Sequence, residues 1–203
     1  MGATGVKRTR KSPQQRRQEM LEGAMAITNR DGLASVTLSR VASELGVTPG
    51  LVTHYFSTAD QLAAATFTAA AEADLVEVFA VVESTPPGQR VRVLIDTVLD
   101  VSTIEAKALW LDAWTLGRWN RLIAEELRRF DIEWRRGATS AIEADAGVCR
   151  LRVTDAAAAG TRLMTMLDGL VGQCVARSVP LEEVRHIARS YAVAEFGAGF
   201  LES

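Results

Sequence analysis

The chain has 203 residues, 48% hydrophobic and 24% charged, a balance that excludes a disordered chain and allows one or two packed domains. Its formal net charge of −2 is unevenly spread. Residues 1–60 carry eight Lys/Arg against five Asp/Glu, and residues 61–203 carry fifteen against twenty, so only one end suits a polyanion. Six cations and no acid fall in the first 17 residues (Lys7, Arg8, Arg10, Lys11, Arg16, Arg17), as either a solubilising leader or an electrostatic footprint. The most apolar long segment, about 62–82, contains Glu72, Asp74 and Glu77, which excludes a membrane span there. No apolar run follows the basic residues as a secretory signal requires. Cys149 and Cys174 are isolated, as expected of reduced core residues in a cytoplasmic protein, and no metal-type spacing occurs.

Alanine is abundant and period-two alternation is absent, so an all-α fold is expected. A first helix over about 14–30 places Met20, Leu21, Ala24 and Ile27 on one face, with Gly32 just past its end. A second begins at Thr37 as N-cap and turns Leu38, Val41, Ala42 and Leu45 inward until Gly46 stops it. A third opens at Thr48, with Pro49 in its first turn, where a missing N–H is harmless. Thr58 and Gln61 have capping-box spacing for a fourth, which runs to about Glu83 and spans roughly 39 Å. Ser84-Thr85-Pro86-Pro87-Gly88 is the clearest break. Beyond it, Val91, Leu94, Ile95 and Val98 mark a fifth helix, and Trp110 and Trp114 share a face of a sixth. Ile123, Leu127, Phe130, Trp134 and Ala138 stripe a long seventh. Thr154 is placed to cap an eighth reaching about 177, and Pro180 starts a ninth bearing Val184, Ile187, Ala188 and Tyr191.

The segment TLSRVASELGVTPGLVTHYF, residues 37–56, satisfies the requirements of a helix-turn-helix together. Ala42 permits close helix approach, Gly46 suits a left-handed turn, and Val41, Leu45, Val47, Val52 and Tyr55 form the apolar face. Thr48, Pro49, Gly50, Leu51, Thr53, His54 and Tyr55 are the outward or groove-facing positions expected to read DNA, with Thr37, Ser39 and Arg40 gripping the backbone. His54 is either a base or phosphate contact or merely exposed. The expectation is a DNA-binding domain over 14–60 and a helical sensing and dimerising domain over 61–203, about nine helices in all.

These residues resemble the tetracycline-repressor (TetR) family. The resemblance rests on Thr37, Val41-Ala42, Leu45-Gly46-Val47-Thr48, Gly50, His54-Tyr55-Phe56 and Leu62. Thr53 and Ala59 depart from it, since the family usually carries Tyr and Lys there, and the missing Lys removes a phosphate contact. Trp110-Leu111-Asp112-Ala113-Trp114, the Glu125–Trp134 stretch and Leu167-Asp168-Gly169-Leu170 are similar to the family's betaine-regulator-like branch. The resemblance implies a transcription regulator, probing a double-stranded DNA operator as a homodimer and released by a small-molecule effector.

The expected effector cavity draws on Trp110, Trp114, Met164 and Asp168, with Phe67 or Phe79 as further walls. Asp168 interrupts apolar residues, so it either pairs with Arg162 or Arg118, serves the turn at Gly169, or faces the cavity. Each tryptophan is a core residue or a pocket residue, and Asp168 beside aromatic rings favours a cation. Leu163, Leu167, Leu170, Val171, Val184, Ile187 and Tyr191 are the expected dimer contacts. Two histidines and no nucleophile–base set offer little for catalysis, so no enzyme activity and no cofactor are expected. The competing reading is a small-molecule sensor whose head binds DNA weakly.

Overall fold

The computed structural model describes residues 11–104, 106–148, 151–197 and 200; Lys7, Arg8, Arg10 and Cys149 lie outside them. Among the described residues nine α-helices and no strand form, in agreement with the all-α reading. They are α1 (Pro13–Asp31), α2 (Leu38–Leu45), α3 (Pro49–Tyr55), α4 (Ala59–Ser84), α5 (Arg90–Val98), α6 (Ala108–Leu116), α7 (Arg121–Ala146), α8 (Ala156–Val175) and α9 (Leu181–Phe196). A short 3₁₀ turn, Leu33–Ser35, follows α1. The chain divides into two compact units, Met1–Thr66 and Phe67–Ser203, with the division inside α4.

In the first unit the helix ends are set by local signals. Ser12 and Gln15 cap α1 reciprocally, each side chain accepting from the other's backbone N–H at 3.1 and 2.8 Å. The Thr37 hydroxyl accepts from the Arg40 N–H at 3.2 Å and starts α2. Gly46 ends it at φ 63° and ψ 35°, a left-handed conformation that a side chain resists. Thr58 accepts from the Gln61 N–H at 3.1 Å, but the Gln61 carbonyl reaches Ser57 rather than Thr58, at 2.8 Å. Met20, Ala24, Ile27, Leu33, Val41, Ala42, Val52 and Phe56 close the core of this three-helix head. Arg17 lies over the Phe56 ring, 5.0 Å from its centroid.

The second unit is built around α7, which packs against α8; Phe130, Ala138 and Ile142 of α7 and Leu163 and Leu167 of α8 are all fully buried. The eighth helix is capped by Asp155, which accepts from the Ala158 N–H at 2.9 Å, and not by Thr154. It ends at Val175, two residues before the expected stop. At α5 no side chain of its own N-cap, Gln89, makes a capping bond. The carboxylate of Asp145 on α7 replaces it, accepting from the N–H groups of Gly88 (2.6 Å), Arg90 (3.2 Å) and Val91 (2.8 Å). Among the described residues no helix is long and apolar enough to cross a membrane.

Candidate functional site

On the head, α3 presents its outward positions as the sequence pattern requires. Thr48, Pro49, Gly50, Thr53 and His54 are exposed, and Leu51 and Tyr55 half-buried, while Val52 on the opposite side has no exposed surface. Thr48 occupies the N-cap position, is exposed, and makes no capping bond with its side chain. The Thr53 hydroxyl donates to the Pro49 carbonyl at 3.0 Å and keeps its lone pairs as acceptors. His54 stands edge-on to Tyr55, with centroids 5.2 Å apart. Nearby, Ser39 and Arg40 are exposed and Thr37 half-buried. Arg40 is not a loose cation: its guanidinium pairs with Asp31 and donates to the Ser35 carbonyl at 3.3 Å, which fixes its direction.

The second unit contains a concave pocket of about 590 Å³ of atom-free space, its open mouth included. It is lined by Asp74, Val98, Lys107, Trp110, Trp114, Leu127, Asp131, Trp134, Met164, Asp168 and Val171. Four expected residues, Trp110, Trp114, Met164 and Asp168, therefore meet in one cavity. Phe67 and Phe79 do not line it. Phe67 is fully buried behind Trp110, ring centroids 5.2 Å apart, and Phe79 lies beyond Trp134 in a separate groove. Both were expected as walls because helix periodicity gives a face but not what stands in front of it.

The polar groups of the pocket are arranged in pairs, with one exception. Asp74 accepts from the Lys107 ammonium at 2.8 Å and from the Trp110 indole N–H at 3.1 Å, so this tryptophan is anchored. Asp131 pairs with Arg135 at 2.9 Å. Arg162 pairs with Glu195, not Asp168, and Arg118 lies over the Trp119 ring. Asp168 is left without a salt bridge among the described residues. Its side chain reaches the open mouth of the pocket, yet protein surrounds it on its other sides. That desolvation, with repulsion from Asp131 and partial relief from Arg135, pushes its pKa up to about 6.

Asp74, Lys107, Asp131 and Trp134 escaped the sequence reading of the pocket. Two signals were present: Asp74 breaks an apolar helix, and Leu127, Asp131 and Trp134 recur at helical spacing.

The expected dimer contacts need correction. Leu163, Leu167 and Val184 have no exposed surface, and Leu170 and Val171 almost none. A residue sealed inside its own subunit has nothing left to bury against a partner. Ile187 at 38% exposure and the half-buried Tyr191 do keep accessible surface, as do Thr165 and Gly169 on α8.

Comparison with known proteins places both units. Residues 20–66 match the model of bacterial regulatory proteins of the tetR family, and residues 87–197 match the C-terminal domain of BetI-type transcriptional repressors. An HTH-type transcriptional regulator, BetI 2 of Chromohalobacter salexigens, is 41% identical over 51 residues, a quarter of each chain. A TetR regulator from Haloarcula marismortui superposes with a TM-score of 0.77 at 26% identity, covering 89% of this chain and 98% of the other. A regulator from Saccharomonospora viridis in complex with choline gives 0.78 at 19% identity, covering 89% and 96%. One from Pseudomonas aeruginosa gives 0.76 at 18%, covering 97% and 98%. With helix-turn-helix head and helical C-terminal domain both matched, the chain belongs to the TetR family of transcription regulators and carries a BetI-type C-terminal domain.

Proposed function

We propose that this regulator is a homodimeric repressor that leaves a palindromic operator when an organic monocation enters the pocket of its C-terminal domain. DNA reading is assigned to residues 14–60, sensing and dimerisation to 61–203, and the site of action to the cytoplasm. The charge balance of the pocket carries the effector class. Lys107 offsets Asp74 and Arg135 offsets Asp131, so Asp168 contributes one uncompensated negative charge to a pocket also lined by Trp110, Trp114 and Trp134. Aromatic faces beside a carboxylate attract a weakly hydrated ammonium. The choline held by the S. viridis regulator has this chemistry. Because Asp74 belongs to α4 and α4 continues into the head, a ligand that shifts the Asp74 cluster is coupled to the head through one helix. The shift requires different ligand affinity in the two arrangements.

Titrating the dimer with choline while following tryptophan fluorescence and operator release tests the reading directly. Binding requires ionised Asp168, so affinity should rise about tenfold per pH unit up to pH 6 and level off above it. The Asp168→Asn variant should bind the cation weakly with a flat pH profile and hold operator normally without ligand. A steep profile retained in that variant assigns the titration to another group.

DNA is read by Thr48, Pro49, Gly50, Leu51, Thr53, His54 and Tyr55 in this reading, with Thr37, Ser39 and Arg40 on phosphates. Replacing His54 or Thr53 by alanine should cost about 1–3 kcal/mol of operator affinity where the side chain contacts a base. Ala59→Lys should tighten binding and steepen its salt dependence through counterion release. Gel shifts at several salt concentrations measure both, and unchanged binding by both alanine variants removes α3 as the reading helix.

The dimer face on α8 and α9 is assigned to exposed Thr165, Gly169 and Ile187 and half-buried Tyr191. Ile187→Glu should give a folded monomer in sedimentation velocity, because it charges an accessible position. Leu163→Glu should instead unfold the subunit, since its side chain lies within the core. A fully dimeric Ile187→Glu protein places the interface elsewhere.

A further inference from the structure

Trp110 and Trp134 form walls of the same pocket but are held in different ways. The Trp110 indole N–H is fixed by Asp74 at 3.1 Å. The Trp134 indole N–H is buried and has no hydrogen-bond partner among the described residues, so only packing sets its orientation. Its ring neighbours are Trp110 at 6.3 Å and Phe79 at 5.2 Å. Phe79 in turn rests on Gly137, in the interior of α7. A Cβ built on that glycine would stand 2.2 Å from the Phe79 Cζ and 2.3 Å from its Cε1. Glycine inside a helix is less favourable than alanine, and here its missing side chain is what seats the ring. On the far side of Phe79 lies a groove between α4 and α7, lined also by Leu75, Glu133 and Ser140.

We propose that Phe79, seated on Gly137, is the specificity-determining backstop of the effector pocket: it holds the unanchored Trp134 in place and so limits the size of cation admitted. This rests on the organic-cation reading and adds to it the residues that choose among cations. Phe79 touches Trp134 rather than the ligand, so it is a positioning residue. Without its ring, Trp134 can move back toward the groove and the pocket deepens. Trp110, tied to Asp74, stays where it is.

The test measures affinities of tetramethylammonium and tetrabutylammonium for the full-length dimer, by calorimetry and tryptophan fluorescence. Phe79→Ala should raise the tetrabutyl-to-tetramethyl affinity ratio at least about tenfold, the scale of a methylene misfit in an apolar pocket. Phe79→Leu, which retains most of the apolar volume, should move the ratio the same way by less and guards against a variant that fails to fold. Gly137→Ala should change the ratio in the parent chain and leave it unchanged in the Phe79→Ala background, because the clash then has no partner. Circular dichroism and operator binding without ligand should stay at parental values in Phe79→Leu. A parental ratio in both Phe79 variants, with tetramethylammonium still bound, overturns the backstop and leaves the cation reading standing. If neither cation binds the parent, the cation reading itself fails and the backstop with it.

Discussion

Asp145→Ala is expected to lower the unfolding free energy by about 3 kcal/mol or more, a larger loss than any surface change in this chain. The carboxylate is 2% exposed and accepts three backbone N–H bonds at the start of α5. Alanine strands those donors where water reaches them poorly, and each bond to a charged acceptor contributes about 1.5–3 kcal/mol. The first turn of α5 then has no cap, since Gln89 makes no side-chain capping bond. Asp145→Asn keeps one acceptor oxygen and should lose about half as much. Urea unfolding of the parent and both variants measures this. Equal stability of Asp145→Ala and the parent would mean that the turn at Gly88 rearranges to find other acceptors.

Asp74→Ala is expected to be comparably damaging, at about 3 kcal/mol, through the charge it leaves behind. The Lys107 side chain is 7% exposed and pairs with Asp74 at 2.8 Å. An ammonium stranded there loses hydration without compensation, whereas replacing both charges by neutral groups is often close to neutral. Adding Lys107→Met to Asp74→Ala should therefore recover more than half of the lost stability in the same urea assay. Effector affinity should not recover with it, because the Trp110 indole has still lost its acceptor and that pocket wall is no longer fixed. A double variant as unstable as the single one would show that packing around Asp74, rather than the stranded charge, accounts for the loss.

What the sequence determined by itself was the head and the class of the fold. Thr37, Gly46, Pro49 and the apolar positions between them act on neighbours a few residues away, and local interactions of that range are written directly in residue order. The same holds for the start of α1 and for the break after Ser84. The Trp110, Trp114, Met164 and Asp168 group was also legible, because a carboxylate and aromatics in apolar helices must be accounted for somewhere.

Tertiary structure decided what depends on partners distant in the chain. Asp145 caps a helix that starts 55 residues before it, and Asp74 finds Lys107 and Trp110 from another helix. No local pattern marks either pairing. The apolar stripes of α8 and α9 showed the same limit: periodicity identifies a buried face, but not whether the burying surface belongs to the same subunit. Leu163, Leu167 and Val184 proved to be core because α7 and its neighbours already cover that face. Phe67 and Phe79 share a helix with Asp74, yet only the packed arrangement puts Asp74 in the pocket and the two rings behind Trp110 and Trp134. Which side chain reaches a cavity depends on the depth at which neighbouring helices interlock, a quantity fixed by side-chain volumes on both surfaces together.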